Sequence, residues 1–272
     1  MRYIGVLLFF ICIISCKHVN KPIVHLKVVD ENLYRSFDMA YEKIYGSVQS
    51  ICDSGFSYEI DSGKRYKSLD WVILCKFDNR GNETEADGFD DDNVFKCKTL
   101  YTYNSNGKLE RQYYYKPIND SPLIYVYNYD EKGHATGYNL YIGNDGKVDS
   151  KSVDSLDSKG NAVQNCLIEQ GKMTLKSYAK VYDARGKMTS GNMTNFIETW
   201  AAQFKYDDSG NLIEQITKRV NKNATDSFDY KYLPDTFSFK YVNKDAYGNW
   251  LKKSIYKNGA LKNITRRKII YY

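Results

Sequence analysis

The feature that most constrains the fold of this chain is a short turn motif that recurs seven times. Each copy has Asp, or in one case Asn, three residues before a glycine, and in five copies an aromatic residue comes directly before that Asp or Asn. Successive glycines are 26, 26, 27, 26, 24 and 38 residues apart. A near-constant period of this size predicts a repeat architecture whose units stabilise one another. The glycines are Gly81, Gly107, Gly133, Gly160, Gly186, Gly210 and Gly248.

The chemistry of the motif is that of a tight hairpin turn. The Asp or Asn side chain can accept hydrogen bonds from backbone amides ahead of it, and glycine can adopt the positive φ that strains other residues. A type I turn followed by a left-handed glycine is a common hairpin connection. The flanking segments favour strands, because residues 99–103 are rich in β-formers and residues 125–129 place three tyrosines on one face.

Additional turn signals between the motif glycines indicate the fold class. Signals such as Asn144-Asp145-Gly146 divide most repeats near their midpoint, so each repeat of about 26 residues is one hairpin. We predict an all-β fold, an antiparallel meander of tandem hairpin repeats with about 16 strands. A flat sheet of that size would be on the order of 75 Å wide, and sheets rarely exceed about ten strands without curling. The sequence therefore predicts a long twisted or curled sheet.

One short helix is expected ahead of the sheet, within residues 30–45. Its apolar residues recur at steps of four and three, Asp30 is a suitable N-cap, and Gly46 is a suitable stop. The apolar residues are Leu33, Phe37, Tyr41 and Ile44.

The N-terminal segment predicts export. A short basic start is followed by an apolar run of about ten residues, which is too short to cross a bilayer as a helix but suits a signal peptide. The run ends in Ile13-Ile14-Ser15-Cys16, which resembles the lipobox of bacterial lipoproteins. The resemblance implies that residues 1–15 are a cleaved signal peptide and that Cys16 is lipidated and becomes the first mature residue.

The expected organisation follows from these signals. Residues 16–29 are the lipidated cysteine and a tether, residues 30–69 are a lead-in helix and strands, and residues 70–272 are the repeat domain. Residues 17–22 contain no acidic side chain, unlike the segment after the cysteine in some surface-exported lipoproteins. We therefore expect a cell-envelope protein, anchored in the outer membrane and facing the periplasm.

The repeat domain resembles the YD-repeat, or RHS-like, class of bacterial exported proteins. The resemblance is strongest in the Tyr-Asp-x-x-Gly copies at residues 129–133, 182–186 and 206–210, and it covers roughly residues 70–272. The closing stretch at residues 245–250 resembles the last repeat of such lipoproteins, and residues 46–60 resemble their lead-in strands. The resemblance implies a repeat architecture and does not specify a function. The chain is much shorter than the large toxin-carrying members, and we expect no appended C-terminal effector domain.

Four cysteines remain beyond the leader and Cys16. An exported protein meets an oxidising compartment, and four cysteines allow three disulfide pairings, among which the sequence does not choose. The alternative is that some are buried free thiols. These residues are Cys52, Cys75, Cys97 and Cys166.

The sequence motifs predict no catalytic residue, no metal site and no cofactor. No metalloprotease, serine-hydrolase or phosphate-loop motif is found. The acidic stretch at residues 87–93 is the best calcium candidate, although a charged hairpin tip explains it more simply. His134 is interpreted as a solvated turn residue.

The aromatic residues and the net charge bear on binding partners. Trp71, Trp200 and Trp250, with many of the 26 tyrosines, could form a stacking surface, although cross-strand packing, which a sheet needs in any case, is the simpler explanation. The net charge of +6 comes from interspersed residues, which argues against a nucleic-acid partner.

These features favour a non-enzymatic role. We expect a lipid-anchored envelope protein that binds another envelope protein or a polysaccharide, or acts as a scaffold, through its repeat sheet. Repeat sheets offer long surfaces, whereas small-molecule chemistry usually needs a cleft. The alternatives are a hydrolase acting on a surface polymer and a protective partner of a secreted toxin.

Overall fold

The computed structural model of the protein describes residues 23–25, 43–61, 64–118, 121–143, 145–195, 198–221 and 234–272. Every regular element in these ranges is a β-strand, so the all-β prediction is confirmed. The described part of the chain has no helix with the length and hydrophobicity needed to cross a membrane. The strands are β1 Ile23–His25, β2 Lys43–Tyr45, β3 Val48–Asp61, β4 Lys64–Phe77, β5 Glu83–Asp90, β6 Phe95–Tyr103, β7 Leu109–Tyr115, β8 Leu123–Tyr129, β9 Ala135–Ile142, β10 Ser150–Leu156, β11 Ala162–Glu169, β12 Lys172–Tyr182, β13 Met188–Asn195, β14 Glu198–Tyr206, β15 Leu212–Asn221, β16 Asp235–Lys244, β17 Trp250–Lys257 and β18 Ala260–Tyr271.

Strands β3 to β18 form one antiparallel meander, as the hairpin repeats predict. Each strand pairs with the next along the chain, and β18 pairs with β3 in a register that runs from Asn263 opposite Ser57 to Tyr271 opposite Val48. The predicted curl is therefore complete, and the sixteen strands form a closed cylinder, called the ring below. Closure pairs the two strands that would otherwise expose their backbone groups at the sheet edges.

The repeat turns all lie at one end of the ring, which we call the repeat rim. In the first of them, the Gly81 amide donates to the Asp78 carbonyl at 3.0 Å, and the Asn82 amide donates to the Asp78 carboxylate at 2.9 Å. All seven motif glycines have φ between 72° and 92°. At Gly107 nothing lies within 4 Å of the position that a Cβ atom would take, so the positive φ, and not the available space, calls for glycine there.

The hairpin ends between the repeats form the opposite rim. They include the connections between β5 and β6, β7 and β8, β9 and β10, and β11 and β12. The long spacing before Gly248 contains the usual two strands, β15 and β16, so the additional residues belong to the connection at this rim. Residues 222–233 of that connection lie outside the described residues.

The predicted N-terminal helix is only partly testable. Residues 30–42, with Leu33, Phe37 and Tyr41, lie outside the described residues. The last three residues of the candidate form strand β2, which pairs with β1, so the helix prediction is wrong there. Ile44 is buried against Val48, Ile51 and Phe77, and this packing accounts for its apolar character.

In the described ranges, the buried apolar side chains of the ring do not form one continuous core. Among the described residues, nearly all contacts between strands join hydrogen-bonded neighbours. Buried apolar side chains form two small clusters, one around Ile51 and Phe77 and one around Ala202 and Phe204. Closed sheets of about 16 strands enclose more space than their side chains occupy. The inner face of the ring is therefore the surface that lines its interior.

Candidate functional site on the inner face of the ring

Strand alternation divides the ring into two chemically different faces. Inward-facing side chains are crowded by the curvature, and Gln112 and Phe204 are only 1% and 4% exposed. Their neighbours on the other face point outward, and the side chain of Lys205 is 68% exposed. The cross-strand register connects residues of the same face around the ring.

The inner face of β6 to β9 is rich in tyrosine. Tyr101, Gln112 and Tyr125 lie directly opposite one another on three successive strands. Tyr127 and Tyr138 form the next row on β8 and β9. Apart from the buried Gln112, these side chains are half-buried, and none carries a charge. We call this surface the tyrosine wall; it consists of Tyr101, Gln112, Tyr114, Tyr125, Tyr127 and Tyr138.

Contacts within the tyrosine wall fix the orientation of its rings. The Tyr127 hydroxyl donates to the Gln112 side-chain oxygen at 2.7 Å. The Tyr138 ring lies edge-on to Tyr125, with centroids 5.2 Å apart, and is 6.0 Å from the Tyr127 ring. Such aromatic pairs stabilise each other by about 1 kcal/mol beyond their burial. Cross-strand packing therefore explains part of the tyrosine content, and the half-buried rings also contribute surface to the interior.

The outer face carries charge pairs on β4 to β6. Glu85 accepts hydrogen bonds from Lys76 at 2.8 Å and Lys98 at 3.2 Å, and Lys98 also lies 3.5 Å from Asp87. The lysines hold the pKa of Glu85 at about 2. Solvated charge pairs of this kind are typical of the exposed face of a sheet.

Glu83 is an exception to the apolar repeat pattern on the inner face near the repeat rim. It stands two residues after a motif glycine, where the other six repeats have apolar residues, and it is only 3% exposed. Burial raises its pKa to about 7, and a hydrogen bond with the Cys75 thiol partly offsets this. Burial raises the pKa of the Cys75 thiol, and the neighbouring Glu83 carboxyl raises it further. The apolar counterparts of Glu83 are Leu109, Ala135, Ala162, Met188, Leu212 and Trp250.

An ion pair crosses the closing seam of the ring between β3 and β18. Arg267 donates two hydrogen bonds to Asp53, at 2.8 Å and 2.5 Å, and its side chain is 7% exposed. The guanidinium lies 3.7 Å from the centroid of the Trp250 ring. The sequence alone does not reveal this pair, because its members are 214 residues apart. For Glu83, in contrast, the sequence does carry a signal, because that residue breaks the apolar pattern of the repeat.

The three tryptophans do not form one stacking surface. Trp71 lies on β4, with its ring over Gly55 of β3, whereas Trp200 lies on β14 and Trp250 lies on β17. Trp250 is 5% exposed and is packed between Arg267 and Tyr241. The structure thus places the aromatic surface on tyrosines instead of tryptophans.

The acidic stretch at residues 87–93 forms a charged hairpin end. Asp90 pairs with Lys96 at 2.5 Å and accepts the Val94 amide at 2.8 Å, while Asn93 takes the left-handed position with φ of 60°. In the described ranges, no group of three or more His, Cys, Asp or Glu side chains is arranged to hold a metal ion.

The remaining predicted residues are placed as follows. His134 pairs with Asp130 of its own turn at 3.0 Å. Cys52, Cys75, Cys97 and Cys166 are free thiols. Residues 1–22, including Cys16, lie outside the described residues.

Comparisons with known proteins inform on the fold. No known protein family matches the chain, and no curated protein matches its sequence. A porin-like protein from Bacteroides uniformis is similar in structure, with a TM-score of 0.51 and 9% identity, over 82% of this chain and 96% of the other. At that identity the likeness concerns the fold alone.

Two toxin-complex structures also match, at lower similarity. They are TcdB2-TccC3 without its hypervariable C-terminal region and the Photorhabdus luminescens Tc holotoxin pore, with TM-scores of 0.33 and 0.28 and identities of 15% and 10%. The matches cover 67% and 74% of this chain but 10% and 13% of the others.

Proposed function

We propose that this protein is a lipid-anchored component of the bacterial cell envelope that binds an extended envelope macromolecule, without catalysis, at the tyrosine wall. The anchor is the acylated Cys16 in the outer membrane, and the ring faces the periplasm. The observation that carries the binding role is the uncharged, half-buried tyrosine surface on the inside of a closed ring.

The chemistry of the wall favours an extended ligand with little charge. Tyrosine rings present apolar faces together with hydroxyl groups, and the wall continues over four strands, a width of roughly 15 Å at the usual strand spacing. Binding sites combine such apolar area with a few fixed polar groups, and the hydroxyl groups of the half-buried tyrosines are polar groups of this kind. A glycan strand or an uncharged polypeptide segment fits this description.

The position of β1 and β2 indicates where the tether leaves the ring. The Tyr45 amide donates to the Asn249 side chain at 2.7 Å, and the Asn249 amide donates back to the Tyr45 carbonyl at 2.8 Å. Asn249 belongs to the last repeat turn, so these strands lie at the repeat rim. We therefore propose that the tether starts at the repeat rim.

The binding proposal can be tested by affinity capture from envelope extract, together with a screen of polysaccharide and peptidoglycan fragments. A Tyr125→Ser, Tyr138→Ser variant should lose most of the captured ligand. A matched variant, Tyr113→Ser, Tyr141→Ser, changes two outward-facing tyrosines on strands of the same region and should retain it. Equal capture by wild type and the inner-wall variant would exclude the wall as the binding surface.

The anchor can be tested separately, by intact mass and detergent partitioning of membrane-extracted protein. Wild type should carry a diacylated or triacylated Cys16, because several acyl chains are needed for firm membrane attachment. A Cys16→Ala variant that partitions into detergent as strongly as wild type would contradict the assignment.

Glu83 supports the second candidate function, hydrolysis of a surface polymer. A carboxyl that is still protonated near neutral pH suits a general acid. However, Glu83 is 3% exposed, which leaves little room for contact with a polymer. Turnover of any fragment in the screen, abolished by Glu83→Gln, would favour the hydrolase. The toxin-partner alternative rests on the repeat resemblance, and co-purification of a secreted toxin would support it.

A further inference from the structure

The outer face of the ring carries unbalanced positive charge at the seam between β18 and β3. Strands β17 and β18 contain seven Lys or Arg residues and no Asp or Glu. Lys252 and Arg266 lie directly opposite each other, and they alternate with the inward-facing Arg267. Lys268 follows on the same face as Arg266, two residues along β18. Like charges in opposed positions destabilise a sheet, so strand pairing does not explain this arrangement.

The neighbouring strands extend this positive surface. Lys240 on β16 lies on the outer face, one strand from Lys252. On the other side of the seam, the Lys67 ammonium and the Arg266 guanidinium both lie over the Phe56 ring of β3, 3.9 Å and 5.5 Å from its centroid. The surface therefore spans five neighbouring strands, from β16 to β4. We call it the seam face; it consists of Lys67, Lys240, Lys252, Arg266 and Lys268.

Acidic side chains do not balance the seam face. On other parts of the outer face lysines pair with carboxylates, as Lys76 does with Glu85 at 2.8 Å. The described acidic side chains of β16 to β4 bond instead to inward-facing partners, in the pairs Asp53 with Arg267, Asp70 with Asn263 and Asp235 with Lys257. Within the described ranges, no Asp or Glu forms an ion pair with a cation of the seam face. This surface therefore suits an external anionic partner.

The proposed membrane tether meets the ring at the same strands. Tyr45 of β2 is hydrogen-bonded to Asn249, which directly precedes β17, and β2 leads through two residues into β3. The first described residue, Ile23, lies opposite Tyr45. Cys16 is seven residues before Ile23, and that length of chain reaches at most about 24 Å. Acyl chains on Cys16 would therefore hold this sector of the ring next to the bilayer.

We propose that the seam face lies against the membrane and binds the phosphate groups of anionic phospholipids. The inference rests on the anchor proposed above, because the anchor brings this face to the bilayer. Each Lys or Arg close to an anionic bilayer increases membrane partitioning by about fivefold, so several together orient the ring. Ile270 and Tyr272, which are 45% and 62% exposed at the C-terminal end of β18, add apolar contact. The axis of the ring then runs along the membrane, and both rims stay clear of it.

The first test uses the chain that begins at residue 16, with Cys16→Ala, so that acylation does not contribute to binding. In sedimentation with lipid vesicles, this chain should bind vesicles that contain phosphatidylglycerol and bind poorly to pure phosphatidylcholine. Raising the salt concentration from about 0.05 M to about 0.5 M should weaken the binding, because salt screens the charges. Binding that does not depend on lipid charge or salt would overturn the proposal. Displacement by inorganic phosphate at constant ionic strength would also overturn it, because a site for one phosphate ion would then replace the extended surface.

Charge reversal tests the position of the binding surface. Arg266→Glu, Lys268→Glu should lower the vesicle partition coefficient by about tenfold or more, because two attractions become repulsions. The matched variant Lys151→Glu, Lys218→Glu makes the same change in net charge at exposed, outward-facing lysines of β10 and β15. It should bind within about twofold of wild type, since distant charges are screened. Far-UV spectra of both variants should match wild type. Equal losses of binding would show that net charge, and not the seam face, drives the association.

The orientation can be measured on wild type, without any substitution. Full-length acylated protein in phosphatidylglycerol vesicles is treated with an amine-reactive reagent, and labelling at each lysine is read by mass spectrometry. Lys240, Lys252 and Lys268 should be labelled several times more slowly than in phosphatidylcholine vesicles, whereas Lys151 and Lys218 should not change. Equal labelling of a firmly anchored protein would overturn the orientation and leave the anchor intact. Vesicle binding through the seam face, with no acylation detected on the native protein, would refute the anchor alone.

Discussion

At the scale of single residues, the repeat turns explain why Asp, Gly and the residue after Gly recur together. In the fourth turn, the Asp157 carboxylate accepts the amides of Lys159 and Asn161, and the Asn161 side chain donates to its second oxygen. An Asn directly after the glycine thus hydrogen-bonds to the Asp of the same turn. Lys108, at the same position in another repeat, donates instead to the Gly133 carbonyl of the next turn, at 2.6 Å.

Glu83 departs from this pattern and leads to a prediction about pH. Its pKa is about 7 in the folded protein against an ordinary 4.5, so the folded state binds the proton more tightly. Its contribution to stability is complete below pH 4.5 and is lost as pH rises through about 7, an effect of roughly 3 kcal/mol. Glu83→Gln should therefore gain stability relative to wild type at pH 8 but not at pH 4.5, measured by chemical denaturation.

The control for this measurement is Glu110→Gln, which changes an exposed carboxyl on β7. It should show the same pH dependence as wild type. A Glu83→Gln variant that also follows the wild-type curve at all pH values would show that Glu83 ionises normally in the folded protein.

At the scale of elements, a series of tyrosine hydroxyls connects successive repeats at the repeat rim. Each tyrosine before a motif Asp or Asn donates to the backbone carbonyl of the residue two positions after the previous motif glycine. This bond explains the preference for tyrosine over phenylalanine at the position. The pairs are Tyr103 to Glu83 at 2.7 Å, Tyr129 to Leu109 at 2.6 Å, Tyr182 to Ala162 at 2.7 Å and Tyr206 to Met188 at 3.0 Å.

Removing one of these bonds should loosen the contact between two repeats. We expect Tyr129→Phe to lower the free energy of unfolding by about 1 kcal/mol, the usual net value of a partly buried hydrogen bond. Hydrogen exchange should increase locally at β7 and β8. Tyr141→Phe, on the outer face of β9, is the matched control and should change stability little. Equal effects of the two substitutions would mean that the hydroxyl series does not connect the repeats.

At the scale of the whole molecule, the seam between β3 and β18 decides whether the sheet is open or closed. The Asp53–Arg267 pair lies on the inner face of this seam, and its two side chains are 17% and 7% exposed. Removing one member of a buried ion pair costs about 3 kcal/mol or more, because the other charge stays buried without that partner. Asp53→Asn should therefore destabilise the ring by roughly this amount, with faster hydrogen exchange along β18.

The matched comparison is Glu214→Gln, which breaks the outer-face pair of Glu214 with Lys205 at 2.5 Å. Exposed pairs contribute about 1 kcal/mol or less, so this variant should remain close to wild type in chemical denaturation. If Asp53→Asn were equally mild, the seam pair would not stabilise closure of the ring.

The sequence predicted the local structure well, because local structure depends on neighbours in the chain. The Asp-to-Gly spacing of each motif specifies a turn, and the alternation in residues 125–129 specifies a strand, so the hairpins and their antiparallel order follow directly. The helix proposed within residues 30–45 was wrong at residues 43–45, because pairing with β1 and burial of Ile44 against Phe77 overrode the helical periodicity.

The sequence by itself determined the repeat and its turns, which arise within about 26 residues, and the curl of the sheet, which follows from the number of repeats. Only the tertiary structure decided that the curl closes, which face lies inside, and which charges are buried. Those outcomes depend on residues such as Asp53 and Arg267, which are 214 positions apart. Alternation along a strand defines two faces, but it cannot show which one the curvature will enclose.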